Sequence, residues 1–331
     1  MSNSDAIPVI DVEAIHGADE GRLIQLAREF FSAYATTGFS YIVNHGVAEK
    51  LVDQVFAASK RFHDLPRETK MAVELNHNHR GFIPINTSTD VNSQLADVKH
   101  PNQSESFMVM REDAPGSAPV RAGEYLAGPN QWPELDGFRD HVMAYNAEMT
   151  GLAQKLVNIV KLALNTDETF VDHFRTPTTW LRLLYYPAND LQDAQSLEQR
   201  GVFGSAPHTD FGCLTLLAQD SVGGLQVQTT NKQWIDVPKL PGSFVVNAGD
   251  MLQRWSNGLL RSTPHRVINV SGKARYSCPF FFDPGVRTTV EPLQSCITSD
   301  RAAQYQSIVF EDFLRNELES GYKHNKPENS D

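Results

Sequence analysis

The sequence predicts an α+β protein in which a mainly helical first half leads into a β-rich second half built as a sandwich or jelly roll. Three observations predict it. Apolar residues recur at three- and four-residue spacing in the first half, most regularly from Phe138 to Ala163. From Trp180 the period shortens to two, and strand-like runs follow one another with Pro, Gly, Asn or Asp between them. Many short strands in succession suit a closed or stacked antiparallel architecture.

Each element has its own signal. Ile7-Pro8-Val9-Ile10-Asp11 reads as an edge strand, where the missing N–H of Pro8 costs no ladder hydrogen bond. Leu23, Leu26, Ala27, Phe30, Phe31 and Tyr34 share one face of a helix that Gly38 ends. Phe39 to Val43 is a strand running into the turn Asn44-His45-Gly46, and Leu51 to Phe62 is a helix closed by Leu65-Pro66. Residues 76–130 are polar with little periodicity, and a stretch of that length without elements is expected to cover a site. The stripe Phe138, Val142, Tyr145, Met149, Leu152, Leu156, Ile159 and Ala163 is a core-facing helix. Strands are then expected at Trp180–Tyr186, His208–Ala218, Gly224–Gln228, Gln233–Val237, Ser243–Ala248, His265–Val270 and Ala274–Phe282. A last helix is expected around Ala302–Leu318.

Bulk properties narrow the function. The 331 residues are 40% hydrophobic and 21% charged, ordinary for a globular protein with a substantial core. A net charge of −11 argues against nucleic-acid or anionic-membrane partners, which need clustered Lys and Arg. One or two local cations still suffice for a small anionic ligand. The N-terminus shows neither a basic region nor an apolar run, and no apolar stretch approaches a membrane span. The 3 cysteines, Cys213, Cys278 and Cys296, lack metal-type spacing and read as reduced core thiols of a cytoplasmic protein. Nothing demands more than a monomer.

The chemistry concentrates in two segments, Pro207-His208-Thr209-Asp210-Phe211-Gly212 and Ser262-Thr263-Pro264-His265-Arg266-Val267. On a strand His208 and Asp210 project to the same face about 6.6 Å apart, and His265 is expected to close over them from an opposed sheet. Two imidazoles and one carboxylate, leaving open positions opposite, form the ligand set of non-haem Fe(II) oxygenases. A lone His-x-Asp also arises as a strand-end Asp beside a solvated His. Context favours the metal. Arg275 and Ser277 form a second i, i+2 pair, suited to forked recognition of a carboxylate. Fe(II), one Asp and a bound dicarboxylate leave one negative charge, which Arg275 cancels. Arg182, Leu184 and Tyr186 share a strand face.

Other residues receive plainer readings. Gly212 relieves crowding near the metal or makes a simple bend. Asn44-His45-Gly46, which could be mistaken for a metal site, sits in a turn, and Asp250 and Asn257 fix turns. Phe280-Phe281-Phe282 is core, with one parity available to a pocket. Arg80 and Arg111 are solvated surface cations or anchors for a second anion. The polar residues Asn86, Thr87, Ser88, Asn92 and Gln94 suggest a lid over an amphipathic small molecule.

The chain resembles the isopenicillin N synthase-like branch of the Fe(II)/2-oxoglutarate-dependent dioxygenases. Beyond the ligand segments, the likeness rests on Ile7–Asp11, Gly38-Phe39, Asn44-His45-Gly46, Asp64-Leu65-Pro66 and Tyr185-Tyr186-Pro187. It continues through Gly223–Val227, Asn247-Ala248-Gly249-Asp250, Ser256-Asn257-Gly258 and His265-Arg266-Val267. The resemblance implies a distorted double-stranded β-helix core at 178–285. An N-terminal region would span 1–177, and a C-terminal segment with a helix near the active-site mouth would span 286–331. It further implies iron ligands His208, Asp210 and His265, with Arg275, Ser277 and Tyr186 on the distal carboxylate of 2-oxoglutarate, and O2 as oxidant. A small organic substrate would be oxidised, by default hydroxylated, with release of succinate and CO2. One departure is Leu184, where the family often carries Asn. Two rivals remain at this level: an oxidase that takes all electrons from substrate and holds the substrate's carboxylate at Arg275, and a non-catalytic metal-dependent binder of a small acid.

Overall fold

A computed structural model of the chain describes residues 6–88, 95, 98, 100–189 and 193–323. In order the elements are β1 (Val9–Asp11), α1 (Glu20–Thr36), β2 (Phe39–Val43), α2 (Glu49–His63), α3 (Arg67–Met71), β3 (Gly81–Ile83), β4 (Glu105–Met110), α4 (Ala118–Arg121), α5 (Phe138–Ala163) and α6 (Thr169–Asp172). They continue with β5 (Thr178–Tyr186), α7 (Ala194–Gln199), β6 (Ser205–His208), β7 (Leu214–Gln219), β8 (Leu225–Gln228), β9 (Trp234–Asp236), β10 (Phe244–Ala248), α8 (Asp250–Trp255), β11 (His265–Val267), β12 (Arg275–Asp283), β13 (Thr289–Val290), β14 (Ile308–Val309) and α9 (Phe310–Lys323).

The helices form because their apolar stripes have a sheet to cover. Asp19 caps α1 by accepting from the Arg22 N–H, and Leu26, Ala27, Phe30, Ala33 and Tyr34 are buried along one face. The Tyr34 hydroxyl reaches the Val246 carbonyl at 3.2 Å and Ser40 at 2.9 Å, which ties α1 to β10 and β2. The expected core stripe of α5 is buried from Phe138 to Ile159, and α5 packs against both α1 and α2. Each such large side chain removed from water stabilises the fold by roughly 1.5–3 kcal/mol.

These helices back an 8-stranded sheet of order β1-β2-β10-β7-β12-β5-β4-β3. A 4-stranded sheet, β6-β11-β8-β9, stands across from it. Phe39, Tyr41, Leu184, Tyr186, Leu225, Val227, Val245 and Val267 form one buried cluster contributed by both sheets, the interior of the jelly roll. The α+β expectation is met, and so is the core with helices at both ends.

Several local expectations are corrected. The run His208–Ala218 is two strands, β6 and β7, because residues 209–213 turn sharply between them. The polar stretch 76–130 contains β3 and β4, and β4 is paired along its length with β5. The last helix starts at Phe310, since residues 302–307 are irregular and 308–309 pair with β13. The three cysteines are free and buried, as expected. No helix among the described residues is long and apolar enough to cross a membrane.

Candidate metal centre and carboxylate clamp

β6 and β11 are antiparallel neighbours, and His265 sits directly opposite His208. The two histidines therefore come from one sheet, side by side, and not from opposed sheets as the strand pattern suggested. Asp210 lies two residues beyond the end of β6, so the turn brings it round and strand alternation does not. The outcome is still convergence: the ligand atoms of His208, Asp210 and His265 lie within 4.8 Å of one another.

Hydrogen bonds set what each group offers. His208 Nδ1 lies 2.7 Å from the Ala206 carbonyl and His265 Nδ1 lies 3.2 Å from the Thr263 carbonyl. A carbonyl only accepts, so each Nδ1 carries the proton and each Nε2 presents a lone pair. Those Nε2 atoms stand 3.7 and 3.6 Å from Asp210 Oδ1, within the span of about 4.2 Å that one ion bridges with bonds of about 2.1 Å. Asp210 Oδ2 is already engaged, accepting from Thr215 Oγ1 at 2.5 Å and Asn247 Nδ2 at 2.7 Å. One carboxylate oxygen is thus held back while the other faces the histidines. Burial alone would raise the Asp210 pKa, but positive charge on His265 and His208 when no ion is bound, with the Asn247 and Thr215 donors, outweighs it and keeps the group below the usual carboxylate range. A set of two neutral imidazoles and one anionic oxygen fits a divalent iron.

The turn that carries Asp210 is braced from behind. The Cys213 N–H donates to Asp283 Oδ1 at 2.7 Å, the Asp250 N–H to the Asp210 carbonyl at 2.8 Å, and the Met251 N–H to the Gly212 carbonyl at 2.9 Å. Gly212 is required: a Cβ there would overlap the Asp283 carboxylate. Close packing, one of the two sequence readings, is therefore its role. Burial pushes the carboxyl of Asp283 up to about 7 and that of Asp250 up to about 6.

The second cluster lies on the larger sheet. Arg275 pairs with Tyr186 and Ser277 with Leu184 across β12 and β5, while Gln219 of β7 faces Ser277 from the other side. Antiparallel partners share a face, so these side chains line the interior together. Arg275 is 1% exposed. It donates to Ser277 Oγ at 3.1 Å and Gln219 Oε1 at 3.2 Å and stacks 4.8 Å from the Tyr186 ring. Among the described residues it has no carboxylate partner, and its Nε has no acceptor. Leu184 is buried beside it as an apolar wall.

Other expectations divide. Arg80 is neither solvated nor an anion anchor: it is fully buried, donating to the Asn78, Leu126 and Arg111 carbonyls. Arg111 is occupied by Asp113. Asn44 and Gly46 adopt φ 56° and 81°, and His45 packs on Phe244, which makes the turn scaffold. Asn257 holds the Cys296 and Ala302 carbonyls. Asn92 and Gln94 lie outside the described residues, and Thr87 is tied to the Pro84 carbonyl. Sequence reading missed Thr215, Gln219, Asn247 and Asp283. The available signal was a polar residue at an interior parity within an otherwise apolar strand, as in Leu214–Gln219 and Phe244–Ala248.

Comparison with known proteins adds to this geometry. Residues 177–284 match the model of the 2OG-Fe(II) oxygenase superfamily. Residues 7–135 match that of the non-haem dioxygenase in morphine synthesis N-terminal region. A 2-oxoglutarate-Fe(II) type oxidoreductase of Emericella nidulans is 32% identical over 326 residues, covering 96% of this chain and 90% of its own. A homoarginine-6-hydroxylase of Oryza sativa subsp. japonica is 30% identical over 337 residues, covering 95% and 96%. Among solved structures, a full-length Neurospora crassa protein in complex with alpha-KG and thymine superposes with a TM-score of 0.82 at 28% identity, over 97% of this chain and 98% of that one.

Proposed function

The chain belongs to the 2OG-Fe(II) oxygenase superfamily and is an Fe(II)- and 2-oxoglutarate-dependent enzyme, and from that premise we propose which residues hold each group and what is done to the substrate. His208 Nε2, His265 Nε2 and Asp210 Oδ1 bind the iron. Arg275 and Ser277 take the distal carboxylate of 2-oxoglutarate, with the Tyr186 ring and hydroxyl beside them. Iron supplies the activation of O2, and the outcome is hydroxylation of a small organic substrate with release of succinate and CO2. Small substrates are supported by the thymine in the Neurospora structure and the homoarginine in the rice relative's name. The N-terminal match beside the core match supports the isopenicillin N synthase-like branch. We take 1–177 as the N-terminal region, 178–285 as the catalytic core and 286–331 as the segment at its mouth, where Phe313 edges onto Phe211 at 6.2 Å. Three buried free thiols support a reducing, cytoplasmic setting. All these residues come from one chain, so a monomer suffices.

The observation that carries this reading is a buried guanidinium with no acidic partner among the described residues, on the same barrel interior as a converged His-Asp-His set. The residues act by position. The Nδ1–H bonds fix both imidazole tautomers, and Thr215 with Asn247 hold Asp210 to one outward oxygen. Arg275 supplies a fixed donor fork, which orients a carboxylate at little entropic cost. The apolar interior around Leu184, Val227 and Val267 excludes water. Succinate release by purified protein is expected to require both Fe(II) and 2-oxoglutarate, and Asp210→Ala is expected to lose bound iron together with turnover. Undiminished iron content and turnover in that variant would overturn the assignment.

A further inference from the structure

Arg182 is a charged side chain on the barrel interior that neither the iron nor the co-substrate uses. It sits in β5 between β4 and β12, on the face of Leu184 and Tyr186. Leu181 and Leu183, on the opposite face, are fully buried in the main core. Arg182 is nevertheless partly exposed, so solvent reaches it through the barrel. Its Nε–H donates to Ser106 Oγ at 2.8 Å, and Ser106 is itself completely buried on β4. That bond aims the guanidinium, and among the described residues no carboxylate pairs with it.

Register places this cation relative to the chemistry. Thr215, which holds Asp210, pairs with Phe281, and Phe281 pairs with Trp180. Arg182 is the next interior residue of β5 after Trp180, so two strand spacings, about 10 Å, separate its strand from that of Thr215. Arg182 is also four residues along the strand from Tyr186, the partner of Arg275, which is about 13 Å. It is therefore a second cationic position, distinct from the co-substrate clamp and on the side of the metal.

Charge completes the argument. Fe(II), Asp210, a dianionic co-substrate and Arg275 cancel, which leaves Arg182 as the unmatched charge of the loaded site. The other carboxyl on this face, Asp283, is committed to the Cys213 N–H. A partly solvated guanidinium with no carboxylate partner among the described residues keeps its donor fork available to a ligand that brings the counter-charge. Phe281, partly exposed on the same face, offers an apolar surface next to it. We propose that Arg182 is the substrate-binding cation and that the primary substrate is a small carboxylic acid, its carboxylate on the Arg182 fork and its apolar body against Phe281. This rests on the reading of Arg275 as the co-substrate clamp.

The test uses the full chain loaded anaerobically with Fe(II) and titrated calorimetrically, first with 2-oxoglutarate and then with benzoate or its neutral isostere benzamide. Benzoate is expected to bind at least tenfold more tightly than benzamide. Arg182→Met is expected to bring that ratio below twofold while 2-oxoglutarate affinity stays within twofold, and Arg182→Lys to keep an intermediate preference. Retained 2-oxoglutarate binding also verifies that the variant is folded. Equal affinity of the two probes in the wild type, absence of binding by both included, would overturn the proposal, as would a benzoate preference surviving in Arg182→Met. A wild-type chain that binds no 2-oxoglutarate would fail at the clamp instead, a result the first titration separates from the second.

Discussion

Arg80 and Arg275 are both among the largest fully buried side chains of the molecule, yet they lie in regions that treat the charge in opposite ways. In the N-terminal region, Arg80 donates to the carbonyls of Asn78, Leu126 and Arg111, with Asp113 at 3.9 Å. Burial still lowers its pKa to about 10, with the nearby acids offsetting only part of that effect. In the barrel, Arg275 meets two neutral side-chain oxygens and an aromatic face. The first arginine is a staple whose donors are consumed by fixed backbone. The second has no carboxylate partner among the described residues, and on the proposed reading its counter-charge is the co-substrate's carboxylate. Burial does not distinguish structural from functional arginines, whereas the identity of the acceptors does.

Variants at the two sites should therefore fail differently. The largest effect is expected from Arg275→Met: at limiting 2-oxoglutarate, succinate release falls about 100-fold, equivalent to losing a charge-assisted fork worth about 3 kcal/mol. Its melting temperature should hold or rise, because an apolar residue replaces an unpaired buried charge. Arg80→Met should show the reverse, with a stability loss of about 3 kcal/mol in denaturant unfolding from several orphaned buried carbonyls. Its 2-oxoglutarate affinity should remain within twofold where the protein is folded. An Arg80→Met chain that stays stable but loses 2-oxoglutarate would break the comparison.

A smaller effect concerns Asp283, a buried acid that is paired with backbone as Arg80 is. Burial raises its carboxyl from 3.8 to about 7, so between those values the folded chain keeps a proton that the unfolded chain has released. Stability contributed by this group therefore falls as pH rises from about 4 to about 7 and levels off above that. Asp283→Asn keeps an oxygen for the Cys213 N–H and removes the titration. Metal-free variant and wild type should melt alike near pH 4, and the variant should be more stable at pH 8 by on the order of 4 kcal/mol. Parallel pH profiles would show that Asp283 is not a strained buried charge.

Much of the site was legible in the sequence because its chemistry is local. Arg275 and Ser277 are two residues apart on one strand, where that spacing carries geometric meaning, whereas His208 and Asp210 are close in sequence but converge through a turn that alternation did not foresee. What joins them was not legible. The pairing of His265 directly against His208 is long-range, and nothing within either segment specifies the partner. Arg80 looked solvated because its acceptors are backbone carbonyls up to 46 residues away, which have no sequence signature. β4 was missed although Phe107-Met108-Val109-Met110 is an apolar run, because both of its faces are buried and it shows no alternation to separate it from the polar residues around it. Arg182 was placed on the right face by alternation alone, but its bond to Ser106 was not foreseeable.

The central claim is that iron at His208, Asp210 and His265 and the fork of Arg275 together create one 2-oxoglutarate site. Anaerobic calorimetric titration of 2-oxoglutarate into the chain, with and without Fe(II), tests it most directly when run on wild type and Arg275→Met. One equivalent is expected to bind to the wild type at least tenfold more tightly with iron than without, and at least 100-fold more weakly to Arg275→Met. Binding that is indifferent to iron, or unchanged in Arg275→Met, would contradict the account.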